Sequence, residues 1–198
     1  MERKIVIAGI GGQGVVYATK ALSHAALARG EKVVASENHG MSQRGGSVLA
    51  HLKIGGSDAP LIRHGTADAL IAFDRVEALR NLIFVRAGGK VIVNSQNGLD
   101  PAVMQRLNEL EIGVLVVAAD TCAQEIGAPG AANLITLGAA ASQACIGLTL
   151  DDLREAVRAL GPARLVELNW RALEIGAASQ RPPPSCKAQS AGDDLEAL

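Results

Sequence analysis

The chain has 198 residues, 48% of them apolar, with 19 basic and 20 acidic side chains and a formal charge of −1. That length suits one large α/β domain, and the balanced charge argues against a general polyanion binder. Aromatic residues make up only 2%, too few for base-stacking platforms, so no nucleic-acid partner is expected.

No apolar run reaches the roughly 18 residues needed to cross a bilayer. Met1-Glu-Arg-Lys leads straight into the first apolar run and leaves no room for a signal peptide. A cytoplasmic protein with no membrane partner is the expectation. Cys122, Cys145 and Cys186 lie far apart and form no Cys-x-x-Cys pair. They read as reduced core or tail thiols, unable by themselves to hold an iron–sulfur cluster or a structural zinc.

In chain order, Ile5 to Ile10 is an apolar, β-branched strand that runs into Gly11-Gly-Gln-Gly14. Val15, Ala18, Leu22 and Ala25 then recur at helical spacing, with Gly30 as the stop. Lys32 to Ser36 is a second strand, followed by a polar, glycine-rich loop over the eleven residues Glu37 to Ser47. Val48, Ala50, Leu52 and Ile54 alternate with small or polar residues, the pattern of a strand with one wetter face. No crossover helix precedes that strand, so it is expected to run antiparallel and make the sheet mixed.

Ala69 to Phe73 is a buried strand, and Asp74 with Glu77 reads as a capping box for a helix through about Val85. Gly88-Gly89 breaks it, Lys90 to Asn94 is the next strand, and Asp100-Pro101 opens a helix with Pro at its first position. Val114 to Ala118 closes the strand series. The remainder reads as helices from Asn133 to Ile146, from an N-cap at Thr149 to Leu160, and from Ala163 to about Ala177. The fold class is therefore a three-layer α/β/α domain over residues 1–178, with a mostly parallel, mixed sheet, a Rossmann-like first βα unit and a helical C-terminal part. Residues 179–198, with Pro182-Pro-Pro184, form a tail expected to stay mobile.

Gly9, Gly11 and Gly14 occupy the three positions of G-x-G-x-x-G between a strand and a helix. Glycine opens backbone angles closed to other residues and allows close approach, and the first turn of the helix has unpaired N–H groups to offer. A dinucleotide site would use Glu37, 23 residues after Gly14, on the ribose. Against it stand the long loop with His39, Gln43 and Arg44, and the extra Gly12 and Gln13 in the turn. That loop admits two readings. Either His39 and Arg44 hold it to the glycine turn, or the Arg44 guanidinium and glycine N–H groups face a carboxylate or phosphate.

Ile-Ala-Gly-Ile-Gly-Gly-Gln-Gly14, taken with Ser36-Glu-Asn-His-Gly-Met-Ser-Gln-Arg-Gly-Gly-Ser-Val48, resembles the γ-type subunit or domain of 2-oxoacid:ferredoxin oxidoreductases. The second motif is similar to the small subunit of the indolepyruvate branch in particular. The likeness continues through Asp68 to Ala72, Asn133 to Gly138 and Asn169 to Gly176. The resemblance implies a cofactor-free subunit of an enzyme that oxidatively decarboxylates a 2-oxoacid on thiamine diphosphate. Such enzymes capture the acyl group with coenzyme A and pass electrons through [4Fe–4S] clusters to ferredoxin. Thiamine diphosphate and clusters then belong to a larger partner subunit, because this chain lacks a Gly-Asp-Gly thiamine motif and cluster-spaced cysteines. No residue is assigned a catalytic or metal-binding role. The resemblance places ligand or partner contacts at Gly9, Gly11, Gly12, Gln13, Gly14, Glu37, His39, Gly40, Met41, Gln43, Arg44, Gly45, Gly46, Ser47 and Asn133. The alternative is a free-standing NAD(P)- or flavin-binding oxidoreductase.

Overall fold

A computed structural model describes residues 2–39, 45–56 and 59–179. Six strands form one sheet in the order β2-β3-β1-β4-β5-β6. They are β1 (Arg3–Ile10), β2 (Val33–His39), β3 (Ser47–Ile54), β4 (Ala67–Ala72), β5 (Val85–Asn94) and β6 (Gly113–Val117). β1, β4, β5 and β6 run parallel, and β3 is antiparallel to both of its neighbours, β1 and β2. The mixed sheet expected from the missing crossover helix is thus present.

Residue alternation along each strand builds two cores. Ile5 and Ile7 of β1, with Ala50 and Leu52 of β3, face α1 (Val15–Ala28) and the later helices. Those later helices are α4 (Ala119–Glu125), α5 (Ala132–Ser142), α6 (Leu150–Leu160) and α7 (Val166–Ala178). Val6 and Ala8 face the other way, with Leu70, Val91 and Val93, onto α2 (Arg75–Asn81) and α3 (Pro101–Glu109). The three layers are therefore unequal, with most helices on one face.

Several boundaries differ from the sequence expectation. The second helix stops at Asn81, and a 3₁₀ turn over Leu82–Phe84 hands the chain to β5 at Val85. Gly88-Gly89 does not precede β5; it lies inside it, where the pairing with β4 shifts register between Ala67 and Ala69. Asp74 does cap α2, accepting from the N–H groups of Val76 at 2.7 Å and Glu77 at 3.0 Å. The Glu77 carboxylate, however, turns to other partners, so the expected box is only half made. The Thr149 box is complete: its hydroxyl accepts from Asp152 N, and Asp152 Oδ2 accepts from Thr149 N at 2.7 Å. The short helix α4 has no counterpart in the periodicity reading. α5 ends at Ser142, four residues before Ile146.

The wetter face of β3 is not wet. His51 and Lys53 are 5% and 6% exposed. His51 Nδ1 accepts from Ile62 N at 3.4 Å, and its ring meets the Phe84 ring edge-on at 5.2 Å. Burial, and then the Lys53 charge, hold the imidazole below its usual 6.5.

Candidate functional site

The glycine turn joins β1 to α1, and its own backbone closes most of it. Gln13 N donates to Ile10 O at 3.0 Å, and Gln13 Oε1 accepts from Ile10 N at 2.8 Å. Gly11 N donates to Gly46 O at 2.8 Å, so the returning end of the β2–β3 hairpin lies on the turn. Gly12 has φ +102° and nothing within 4 Å of where a Cβ would stand. Gly14, at φ +85°, has no room: its Cβ would collide with the Asn133 amide. A Cβ on Gly9 would come within 2.9 Å of Val15 Cγ2. Three of the four glycines therefore serve different needs: clearance at Gly9, clearance and φ at Gly14, φ alone at Gly12. At Gly11 an added Cβ would have an ordinary 3.5 Å contact with Gly45 N.

The polar loop is shorter than its sequence suggests. β2 continues through Glu37, Asn38 and His39, paired with Ala50, Leu49 and Val48, and β3 resumes at Ser47. Gly40, Met41, Gln43 and Arg44 lie outside the described residues, as does the His39 side chain. Gly45 at φ +77° and Gly46 bring the chain back to the turn. Ser47 Oγ donates to the buried Glu77 carboxylate at 2.6 Å, which also accepts from Arg80 at 2.6 Å. The structure thus brings together the turn, Gly45, Gly46, Ser47 and Asn133.

Glu37 is not brought in. It sits within β2, and β3 lies between β2 and β1. At roughly 4.8 Å per strand spacing, two spacings separate β2 from the glycine turn, whereas a dinucleotide fold sets its ribose acid on the strand next to β1. The expectation of Glu37 as a ribose acid fails on that inserted strand.

A cavity of about 160 Å³ opens past the carboxyl ends of β1, β4, β5 and β6. Gly12, Gln13 and Asn133 line it, with Phe73, Asn94 and Asp120. Buried Asn94 organises that wall: its Nδ2 donates to Phe73 O and to Asp120 Oδ2, and its Oδ1 accepts from Ala119 N. The sequence reading missed Asn94 and Asp120. The signal was available, since each closely follows an apolar parallel strand, where ligands of open α/β sheets gather. A larger groove of about 420 Å³ lies away from the turn, between Leu82, Ile83, Val103, Leu107, Leu110 and Ile112, and its lining is almost wholly apolar.

The described residues offer no seat for a cluster or metal. No group of three or more His, Cys, Asp or Glu side chains converges among them. Burial raises the Cys145 thiol to about 11 and raises Cys122 as well, whereas a cluster ligand must be a thiolate. Also among the described residues, no helix is long and apolar enough to cross a membrane.

A profile of the pyruvate ferredoxin/flavodoxin oxidoreductase family matches residues 4–179. The chain belongs to that family. It is 34% identical to the indolepyruvate oxidoreductase subunit IorB of Archaeoglobus fulgidus, over 89% of this chain and 94% of that one. It is 29% identical to the ketoisovalerate oxidoreductase subunit VorA of Methanothermobacter marburgensis, over 89% of this chain but only 36% of that one. The same module thus occurs at its own length and as about a third of a longer chain. Among solved structures, the keto/oxoacid ferredoxin oxidoreductase γ subunit of Geobacter sulfurreducens matches with a TM-score of 0.72 and 25% identity. That match covers 89% of this chain and 97% of that chain. The resemblance drawn from the two glycine motifs, the three-layer mixed fold and the oxidoreductase-subunit assignment are all borne out. As a family member, the chain is a small subunit of the 2-oxoacid ferredoxin oxidoreductase type.

Proposed function

We propose that this chain is the cofactor-free small subunit of an indolepyruvate-type (aryl-pyruvate) ferredoxin oxidoreductase of the cytoplasm. A larger partner subunit carries thiamine diphosphate and [4Fe–4S] clusters, decarboxylates the 2-oxoacid, hands the acyl group to coenzyme A and reduces ferredoxin. The observation that supports this reading most is the near end-to-end likeness to an indolepyruvate oxidoreductase subunit. Within the complex, the glycine turn and the segment from His39 to Ser47 meet the partner beside the coenzyme A approach. The turn acts as a docking surface more than as a phosphate cradle, because the Gly11 and Gln13 amides are already bonded within the chain. Gly12, with open space above it, is the point of closest approach.

Arg44 is the residue of the segment from His39 to Ser47 suited to a carboxylate or phosphate of substrate, coenzyme or partner, since its planar fork makes two parallel bonds. His39 orients the hairpin end and is assigned no catalytic step. The test is steady-state kinetics of the reconstituted complex. Arg44→Ala and Arg44→Lys should both lower turnover, or raise a Michaelis constant, by roughly ten- to a hundred-fold, the worth of a charge-assisted pair. Values within about twofold for both variants, with unchanged subunit affinity, would reduce Arg44 to a loop-fixing residue. Activity from the chain alone, with a 2-oxoacid and a dye acceptor, would sink the subunit reading altogether.

A further inference from the structure

We propose that two adjoining cavities beside the glycine turn form a binding site for a ribonucleoside whose 2′,3′-diol is free. This goes beyond the function proposed above and does not depend on it. The first cavity, of about 160 Å³, is the polar one over the sheet ends. The second, of about 250 Å³, lies between α1, α5 and the α6–α7 junction. Gly130 and Asn133 line both, so the two compartments adjoin.

The polar compartment has a definite donor and acceptor pattern. Gln13 Oε1 is taken by Ile10 N, which leaves its NH₂ group to the cavity. Asn133 Oδ1 accepts from Leu134 N at 2.8 Å, which leaves its Nδ2 as the second donor. Asp120 Oδ2 is held by Asn94 at 2.9 Å, while Oδ1 has no partner among the described residues. Two neutral donors and one carboxylate acceptor suit a pair of hydroxyls, which accept from amides and donate to a carboxylate. An anion would face Asp120, and an ammonium would face two NH₂ groups. A cavity of 150 Å³ holds one benzene, so 160 Å³ admits a single sugar ring and little else.

The second compartment suits a planar base. Tyr17, Leu134, Leu160, Pro162 and Leu165 are its walls, and the Asn169 amide lies at its edge. Leu160 and Leu165 are 40% and 37% exposed and give this compartment an apolar side. An aromatic ring stacked there buries apolar area, and Asn169 can both donate to and accept from its edge. The pattern discriminates against coenzyme A, whose ribose carries a 3′-phosphate that would meet the Asp120 carboxylate.

The test is calorimetric titration of the full-length chain with adenosine, 2′-deoxyadenosine, adenosine 3′-phosphate and D-ribose. Adenosine should bind, and each of the other three should bind at least tenfold more weakly. Asp120→Asn and Leu165→Ser, both at exposed positions, should each weaken adenosine about tenfold, with a cooperative unfolding transition retained in both variants. No binding of adenosine at millimolar concentration would overturn the proposal. So would equal affinity for 2′-deoxyadenosine, or for D-ribose, which would mark a free-sugar site. Indifference of adenosine affinity to both substitutions would overturn it as well.

Discussion

Ser47 Oγ and the Glu77 carboxylate meet at 2.6 Å, joining the first residue of β3 to the first turn of α2. Glu77 is 2% exposed, so this bond is shielded from water, and one residue upstream Gly46 O receives the Gly11 amide. A single buried carboxylate therefore anchors the segment on which the glycine turn rests.

Replacing Glu77 with Gln keeps the shape and removes the charge. Stability should fall by about 1.5–3 kcal/mol, the range of one charge-assisted hydrogen bond. The Arg80 contribution is small, because that guanidinium is 64% exposed and screened by water. Urea unfolding checks this, and an unchanged midpoint would mean that the Ser47–Glu77 bond holds nothing.

Gly14 and Asn133 make a coupled pair. Gly14→Ala should cost about 1–2 kcal/mol from its φ of +85° alone, with an added cost from the clash with the Asn133 amide. In an Asn133→Ala background the clash component disappears and the φ component stays. A double-mutant cycle should therefore show a coupling of about 0.5 kcal/mol or more. Strict additivity would place Asn133 away from the turn.

Gly12→Val separates folding from assembly. Nothing lies within 4 Å of the added Cβ, so the strain that the structure shows is that of the φ of +102°. The isolated chain should fold with a loss of about 1–3 kcal/mol. Affinity for the large subunit should drop at least tenfold, measured by co-purification or interferometry. Normal assembly would make the turn a feature of the fold alone.

α5 and α7 cross with backbone nearly on backbone. A Cβ at Gly138 would stand 2.8 Å from the Leu173 carbonyl carbon, and one at Gly176 would stand 2.7 Å from that of Ile135. Neither backbone can step aside cheaply. Gly138→Ala and Gly176→Ala should each cost about 3 kcal/mol, against a small gain in helix propensity. Thermal unfolding of the two variants is the check.

His51 makes stability depend on pH. Its folded value lies below the usual 6.5, so the unfolded chain takes up the proton first as pH falls. Its contribution is complete above about pH 6.5 and declines below that, until the folded imidazole itself protonates. The Lys53 charge opposes the imidazolium, and the Phe84 ring that meets His51 edge-on carries no charge to offset it. His51→Gln should flatten the fall in melting temperature between pH 7 and pH 5.5. An equal fall in both proteins would assign it to other groups.

The strands, most helix starts and the antiparallel place of β3 were legible in the residues themselves, because they rest on local rules. Alternation, Asp100-Pro101, the Thr149 N-cap and a missing crossover helix each act within a few residues. The two glycine motifs likewise carried the resemblance to the family. What lay beyond local rules was which segments meet. His51 and Lys53 alternate like a solvent face, yet both are buried, with Ile62 and Phe84 against His51, and no short-range pattern encodes those contacts. Glu77 has the spacing of a capping box, but a nearer hydroxyl, 30 residues back in the chain, captures its carboxylate. Glu37 has the spacing of a ribose acid and loses that role only because β3 inserts beside β1. The cavity with Gln13, Asp120 and Asn133 gathers residues more than a hundred positions apart. Sequence spacing therefore determined the elements and motif resemblance the family, while sheet order and packing decided the neighbours of each polar group.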